Sequence, residues 1–133
     1  MSLSEEERRA IVELELDKSD KTLAQMNIQL EAKLWDFAAN RLYYALFHAV
    51  SALLINDCHS VGTHSSAVSQ FNLFYIKEGI FTKEDGRLYS RLQRLREDGD
   101  YNCSIEVEEK EVEEKIEPTK QLISRIRQHI AKK

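Results

Sequence analysis

Between Ile11 and Leu30 the apolar residues Ile11, Leu14, Leu16, Leu23, Met26, Ile28 and Leu30 recur at roughly helical spacing, which predicts a long first helix. Ser4 with Glu7 makes a capping-box pair ahead of it, and acidic residues fill the opening turn. This helix is expected to reach about Ala32, loosened near Asp17 to Asp20, with a boundary between Lys33 and Asp36. A second helix, about Leu34 to Ile55, is apolar on most of its circumference. That pattern belongs to the centre of a bundle, or to a helix that also faces a second subunit. It stops at "NDCHSVGTH", where Thr63 can cap a third helix from about His64 to Glu78, closed by Gly79.

Thr82 caps a fourth helix with Glu84 and Asp85 in its first turn and Leu88, Leu92 and Leu95 as its core stripe. "EDGDYN" is then expected to break the chain before a fifth helix, about Val107 to Gln128. Val112, Ile116, Ile123, Ile126 and Ile130 follow a spacing close to a heptad there, with Thr119 filling one slot. Pro118 lies inside that helix and should kink or split it. The expected fold is all-α, an antiparallel up-and-down bundle of about five helices, with residues 1–133 as a single helical domain.

Composition agrees with the pattern. Four glycines and one proline in 133 residues leave little turn chemistry for a sheet-rich fold. The net charge of −4 provides no global basic field to draw the protein onto nucleic acid, so an RNA contact needs a local patch. Cys58 and Cys103 have no CxxC or paired zinc spacing and read as free thiols in a reducing cytoplasm. The longest apolar run, Ala45 to Ile55, is interrupted by His48 and is too short to span a bilayer. The run "EVEEKEVEEKIE" is acidic, but its interleaved Val and Ile mark a solvated helix face.

The candidate chemistry lies in two places. Phe37, Arg41, Tyr44, His48 and Ser51 step by four, three, four and three, so they share one stripe of the second helix. Two readings stay open for it. Arg41 could pair with an acidic residue while His48 caps a carbonyl inside the bundle. Alternatively the stripe lines a polar pocket at a helix or subunit junction, where Arg41 could hold a phosphate and His48 move a proton near neutral pH. In "RLYSRLQRLREDGDYN", Arg87, Arg91 and Arg94 lie on one face beside the leucine stripe. Arg96 points elsewhere and, with Asp100 and Tyr101, suggests a built turn. Cys58, His59 and His64 fall within seven residues, but no second pair completes a zinc set, so no metal site is expected. No Gly-rich phosphate loop or Ser-His-Asp pattern appears, and no cofactor is expected.

The blocks "AANRLYYALFHAVSALL", "THSSAVSQFNLFYIKEGIF" and "LYSRLQRLREDGDYN" resemble, in order and spacing, the HEPN domain (higher eukaryotes and prokaryotes nucleotide-binding), in its small stand-alone prokaryotic branch. The likeness covers roughly residues 34 to 130, and the "NRxYYAxFH" block is its most specific part. The resemblance implies a five-helix bundle that dimerises, often acting with a minimal nucleotidyltransferase as a toxin–antitoxin pair. In toxic members an Arg-x(4–6)-His motif on a late helix cleaves RNA without metal. Here Arg96 is followed by no such histidine, and Tyr101 stands in its place; Arg41 and His48 have a related spacing, but on the second helix. Two functions follow as expectations. One is a homodimeric module that binds a nucleotide, RNA or its partner through Arg41, Tyr44, Arg94, Asp100 and Tyr101. The other is a metal-independent endoribonuclease with His48 and Arg96 as its working pair.

Overall fold

The computed structural model describes residues 3–101 and 106–132, with the side chain of Tyr101 outside that set. It is an all-α bundle of five helices: α1 Glu5–Glu31, α2 Trp35–Asn56, α3 His64–Phe71, α4 Lys83–Tyr101 and α5 Glu109–Ala131. The capping box at Ser4 forms as the sequence predicts, Ser4 Oγ accepting from Glu7 N at 3.1 Å and Glu7 Oε1 from Ser4 N at 2.9 Å. Lys33, in left-handed backbone at φ 61°, reverses the chain between α1 and α2. Thr63 caps α3, accepting from Ser66 N.

α2 is the hub. It packs against α1, α3, α4 and α5, most extensively against α1. Its alanines explain how the helices come so close: Ala38, Ala45, Ala49 and Ala52 are all fully buried. Between them the buried Ser19 of α1 donates to the Ala45 carbonyl at 2.7 Å. Larger side chains of the same helix, Leu42, Tyr43, Leu46, Leu53 and Leu54, fill the remaining core with Phe71, Tyr75, Tyr89, Leu92, Leu122 and Ile126.

Several sequence expectations change in detail. α1 is continuous through Asp17 to Asp20, because Ser19 finds its partner on α2. Its buried face is Val12, Ser19, Thr22 and Met26, leaving Leu14 53% and Ile28 65% exposed. The third helix ends at Phe71 and continues as a π-helical turn, Asn72–Ile76, before Gly79 at φ 78°. "EDGDYN" does not break the chain after Arg96, since α4 runs to Tyr101. Gly99 serves close packing there: a Cβ on it would lie 3.2 Å from Asp36 Cβ and 3.3 Å from Val107 Cγ2. Pro118 does not split α5. Pro118 and Glu114, whose carbonyl loses its usual helical donor, are both exposed, so water can take that place.

Side chains tie the remaining helices together. Arg127 of α5 reaches across to α1, donating to the Leu16 carbonyl at 3.1 Å and pairing with Asp20 at 2.7 Å. Asp85 does two jobs at the start of α4. Its Oδ2 accepts from Thr82 N at 3.0 Å, closing a cap, and its carboxylate takes both Nη atoms of Arg125 at 2.7 and 2.8 Å. Burial pushes the Asp85 carboxyl up, but the Arg125 and Thr82 hydrogen bonds outweigh it and hold the group below its ordinary 3.8.

Because the folded pKa is depressed, this contribution is present in full above pH 3.8 and is lost as pH falls through the folded value. Arg125→Ala should therefore cost about 1–2 kcal/mol at pH 7, discounted for the half-exposed guanidinium. The gap between urea melts of parent and variant should narrow as pH falls below 3.8; a gap that stays constant throughout the acid range would rule out the pair as the cause. At the tight α1–α2 contact, Ala49→Leu should overpack the interface and cost about 1–3 kcal/mol in the same melts.

Candidate functional site

The odd polar residues of α2 gather with side chains from α1, α3 and α4. Helical spacing puts Arg41, Tyr44 and His48 on one side of α2, and the neighbouring turns bring Asn40, Tyr43 and Phe47 beside them. α1 runs alongside and supplies Gln25 and Glu15. α3 begins opposite with His64, and α4 reaches the same place with Arg96 and Asp100.

Arg96 is the least expected member. It is 7% exposed, and its guanidinium lies over the Tyr43 ring at 5.0 Å and the Tyr44 ring at 5.7 Å. Its Nη1 is 3.6 Å from Asp100 Oδ2, one helical turn further along α4. The Arg96–Asp100 pair is thus a helical i,i+4 contact and not the built turn anticipated from the sequence. Arg41 approaches the same Tyr44 from α2, 5.2 Å from the ring centre. Two guanidinium groups therefore address one phenol ring, each gaining cation–π attraction.

Asn40 keeps the two arginines in register. Its Oδ1 accepts from Arg41 Nε at 2.9 Å and Nη2 at 2.6 Å, while its Nδ2 donates to Asp100 Oδ2 at 2.9 Å. Arg41 Nη1 donates to Gln25 Oε1 at 3.0 Å. So Arg41 is held by amides, not by the acidic partner one reading anticipated. His48 has the carboxylate instead, with Nδ1 2.8 Å from Glu15 Oε2. That hydrogen bond is the main reason the Glu15 carboxyl lies below its ordinary value.

His64 was weighed in the sequence only as a metal ligand. In the fold it belongs to this cluster. It stacks on Phe47 with ring centres 4.5 Å apart, meets Tyr44 edge-on at 5.3 Å, and its Nδ1 is 3.1 Å from Tyr43 Oη. Burial lowers its pKa below 6.5, and the charges of Arg96 and His48 lower it further. Burial also pushes the Tyr43 phenol up to about 12, so it stays protonated and can donate to His64 Nδ1, which leaves Nε2 carrying the ring proton. Cys58 and His59 lie apart from His64: His59 stacks on Phe74, 3.9 Å between ring centres. Among the described residues no three His, Cys, Asp or Glu side chains gather as a metal site.

Of the residues singled out from sequence, Arg41, Tyr44, His48, Arg96 and Asp100 converge. Arg94 does not: it is exposed on the opposite side of α4. The side chain of Tyr101 lies outside the described residues. Sequence reasoning missed Glu15, Gln25, Asn40, Tyr43 and His64. A usable signal existed for Glu15, since Val12, Glu15, Ser19, Thr22 and Met26 form a stripe at helical spacing with polar residues at its middle. Nothing local marks His64, which reaches the cluster only through the chain reversal after α2. A separate cleft lies between α4 and α5 around Asp85, Leu88, Pro118 and Arg125.

The cluster joins two guanidiniums, two imidazoles and two phenols on one patch, a set suited to phosphate and to the faces of bases. Among the described residues no helix is long and apolar enough to cross a membrane. Comparison with known proteins gives the same direction as the fold. A UPF0332 protein of Thermotoga maritima is 36% identical over 110 residues, 83% of each chain. A protein of Methanocaldococcus jannaschii with the name "Putative toxin MJ0605" is 30% identical over 122 residues, 92% of this chain and 87% of that one. A second from that organism, "Putative toxin MJ0142", is 28% identical over 98 residues, 74% of this chain and 67% of that one. With residues 12–129 matching the model of the HEPN domain, the chain belongs to the HEPN family.

Proposed function

We propose that this protein is a nucleotide- or RNA-binding module of toxin type, acting as a homodimer with a minimal nucleotidyltransferase protein, and that the arginine–tyrosine cluster between α2 and α4 is its ligand site. One observation carries the reading: Arg41 and Arg96, from different helices, converge on Tyr44 and are held in register by Asn40 and Asp100. Of this cluster the part-exposed Arg41 can meet a phosphate and the Tyr44 ring a base, while the buried Arg96 fixes that ring in place. The toxin names of the two archaeal relatives support the direction, as does the paired mode of action that the family resemblance implies. Arg96 is almost fully buried, which favours binding and positioning over direct attack chemistry.

A second reading, a metal-independent endoribonuclease, is favoured by His64. The late helix has no histidine after Arg96, but His64 shares Tyr43 and Tyr44 with that arginine and is kept neutral near pH 7. In such a reaction an imidazole accepts the proton of a ribose 2′-OH. The oxygen then attacks the adjacent phosphorus and the bond to the 5′ oxygen breaks; a protonated group returns a proton to that oxygen. His48, bonded to Glu15, would be the second proton carrier, and the arginines would steady the phosphate charge.

The test has two arms on the purified, folded protein. Calorimetric titration with adenosine monophosphate should show binding, weakened at least tenfold in Arg41→Ala and in Arg96→Lys; the lysine variant keeps charge at a buried position that alanine would leave hollow. No binding to the parent would sink the module reading. Incubation of single-stranded RNA in EDTA should leave the RNA intact; cleavage lost in His64→Ala would establish the nuclease. In that event the rate should rise with pH through a midpoint below 6.5, because His64 must be neutral to accept a proton.

A further inference from the structure

The outward face of α4 carries a groove unrelated to the tyrosine cluster. It is lined by Lys83, Arg87, Ser90, Arg91 and Arg94 of α4, and by Asn72 and Ile76 of the π-helical turn. The four cations follow one another at spacings of four, four and three, so they share a face in a row about 16 Å long. All four are exposed, and among the described residues no carboxylate lines the groove itself, although Arg91 and Arg94 also border a neighbouring cleft with Asp98 and Glu111. Glu84 pairs with Arg87 from beside it, with both side chains more than half exposed.

The groove has a built floor. At Gly86 a Cβ would lie 2.8 Å from Asn72 Oδ1 and 3.2 Å from Ile76 Cγ1, so α4 lies close to the π-helical turn there and a larger residue would push the Asn72 amide aside. Asn72 and Ser90 add polar groups between the cations. This occurs in a chain whose net charge is −4 and whose α5 begins with an acidic run, so a polyanion is attracted to this face and repelled from that one. The row of forked donors suits phosphate oxygens. An acidic protein partner would ask for an apolar anchor pocket as well, and among the described residues Ile76 is the only apolar side chain lining the groove.

We propose that this groove binds the phosphate backbone of single-stranded RNA across several consecutive nucleotides. The proposal deepens the reading above and rests on it: the tyrosine cluster would hold one nucleotide, and the α4 groove would select a strand over a free nucleotide.

Binding of a fluorescein-labelled 12-nucleotide oligouridylate, followed by anisotropy at several salt concentrations, tests it beside the adenosine monophosphate titration. The triple variant Lys83→Ala/Arg87→Ala/Arg91→Ala should lose about tenfold or more in affinity for the 12-mer. Its log–log salt slope should fall by roughly 2, at about 0.7 per lost single-strand phosphate contact. Its affinity for adenosine monophosphate should stay unchanged. The charge-preserving Arg87→Lys/Arg91→Lys should keep most of the 12-mer affinity, and thermal melts should show both variants folded. If the triple variant binds the 12-mer like the parent, or the parent binds adenosine monophosphate but no 12-mer, the groove assignment falls while the nucleotide site stands. Absence of adenosine monophosphate binding counts against the nucleotide site instead. Polyglutamate binding as tightly as the 12-mer, with the same dependence on the three cations, would overturn RNA in favour of an acidic protein.

Discussion

α2 is packed on most of its circumference, and its polar residues take their places from the helices around it. Arg41 and His48, both part-exposed, find hydrogen-bond partners among neighbouring side chains. They find them on α1, which carries Gln25 and Glu15 on the face turned towards α2. The same dependence reaches α4: the buried Arg96 is accommodated because α2 offers two tyrosine rings as its surroundings. The polar cluster is thus the way the bundle's hub satisfies its own polar groups, and on the proposed reading that arrangement is also what a ligand would meet.

How much of this was legible in the sequence depended on the range of the interaction. Caps at Ser4, Thr63 and Thr82 are local, set by residues three apart, and they could be read directly. The apolar circumference of α2 announced a central helix. The buried face of α1 was harder, because Ser19 and Thr22 occupy it where leucine would be expected, and the small α2 alanines that make room for them are far away in sequence. "EDGDYN" looked like a breaker because glycine and aspartate usually leave helices; what keeps α4 intact is tertiary, with Asn40 bonding Asp100 and α2 pressing on Gly99. His64 illustrates the limit most clearly. Its ring meets Phe47 and Tyr43 only after the chain has turned back, and no pattern within α3 itself encodes that meeting.

The two faces of α4 divide the proposed labour. Inward, Arg96 and Asp100 lock into the tyrosine cluster; outward, the row from Lys83 to Arg94 faces solvent. One helix would then couple a confined nucleotide site to an open strand-binding groove, without any separate nucleic-acid-binding element. The acidic α5 beside it would keep the rest of the surface from competing for the same polyanion.

Gly99 has a bearing on how the molecule opens. A glycine within a helix forfeits about 1 kcal/mol of intrinsic helical preference against alanine, so the last turn of α4 does not sustain itself. It persists because Asp36 and Val107 abut it and Asn40 bonds Asp100. That turn therefore leans on the start of α2 for its support. The carboxylate end of the tyrosine cluster would then be the first part of the site to loosen, while the aromatic end, rooted in the middle of α2, keeps its shape.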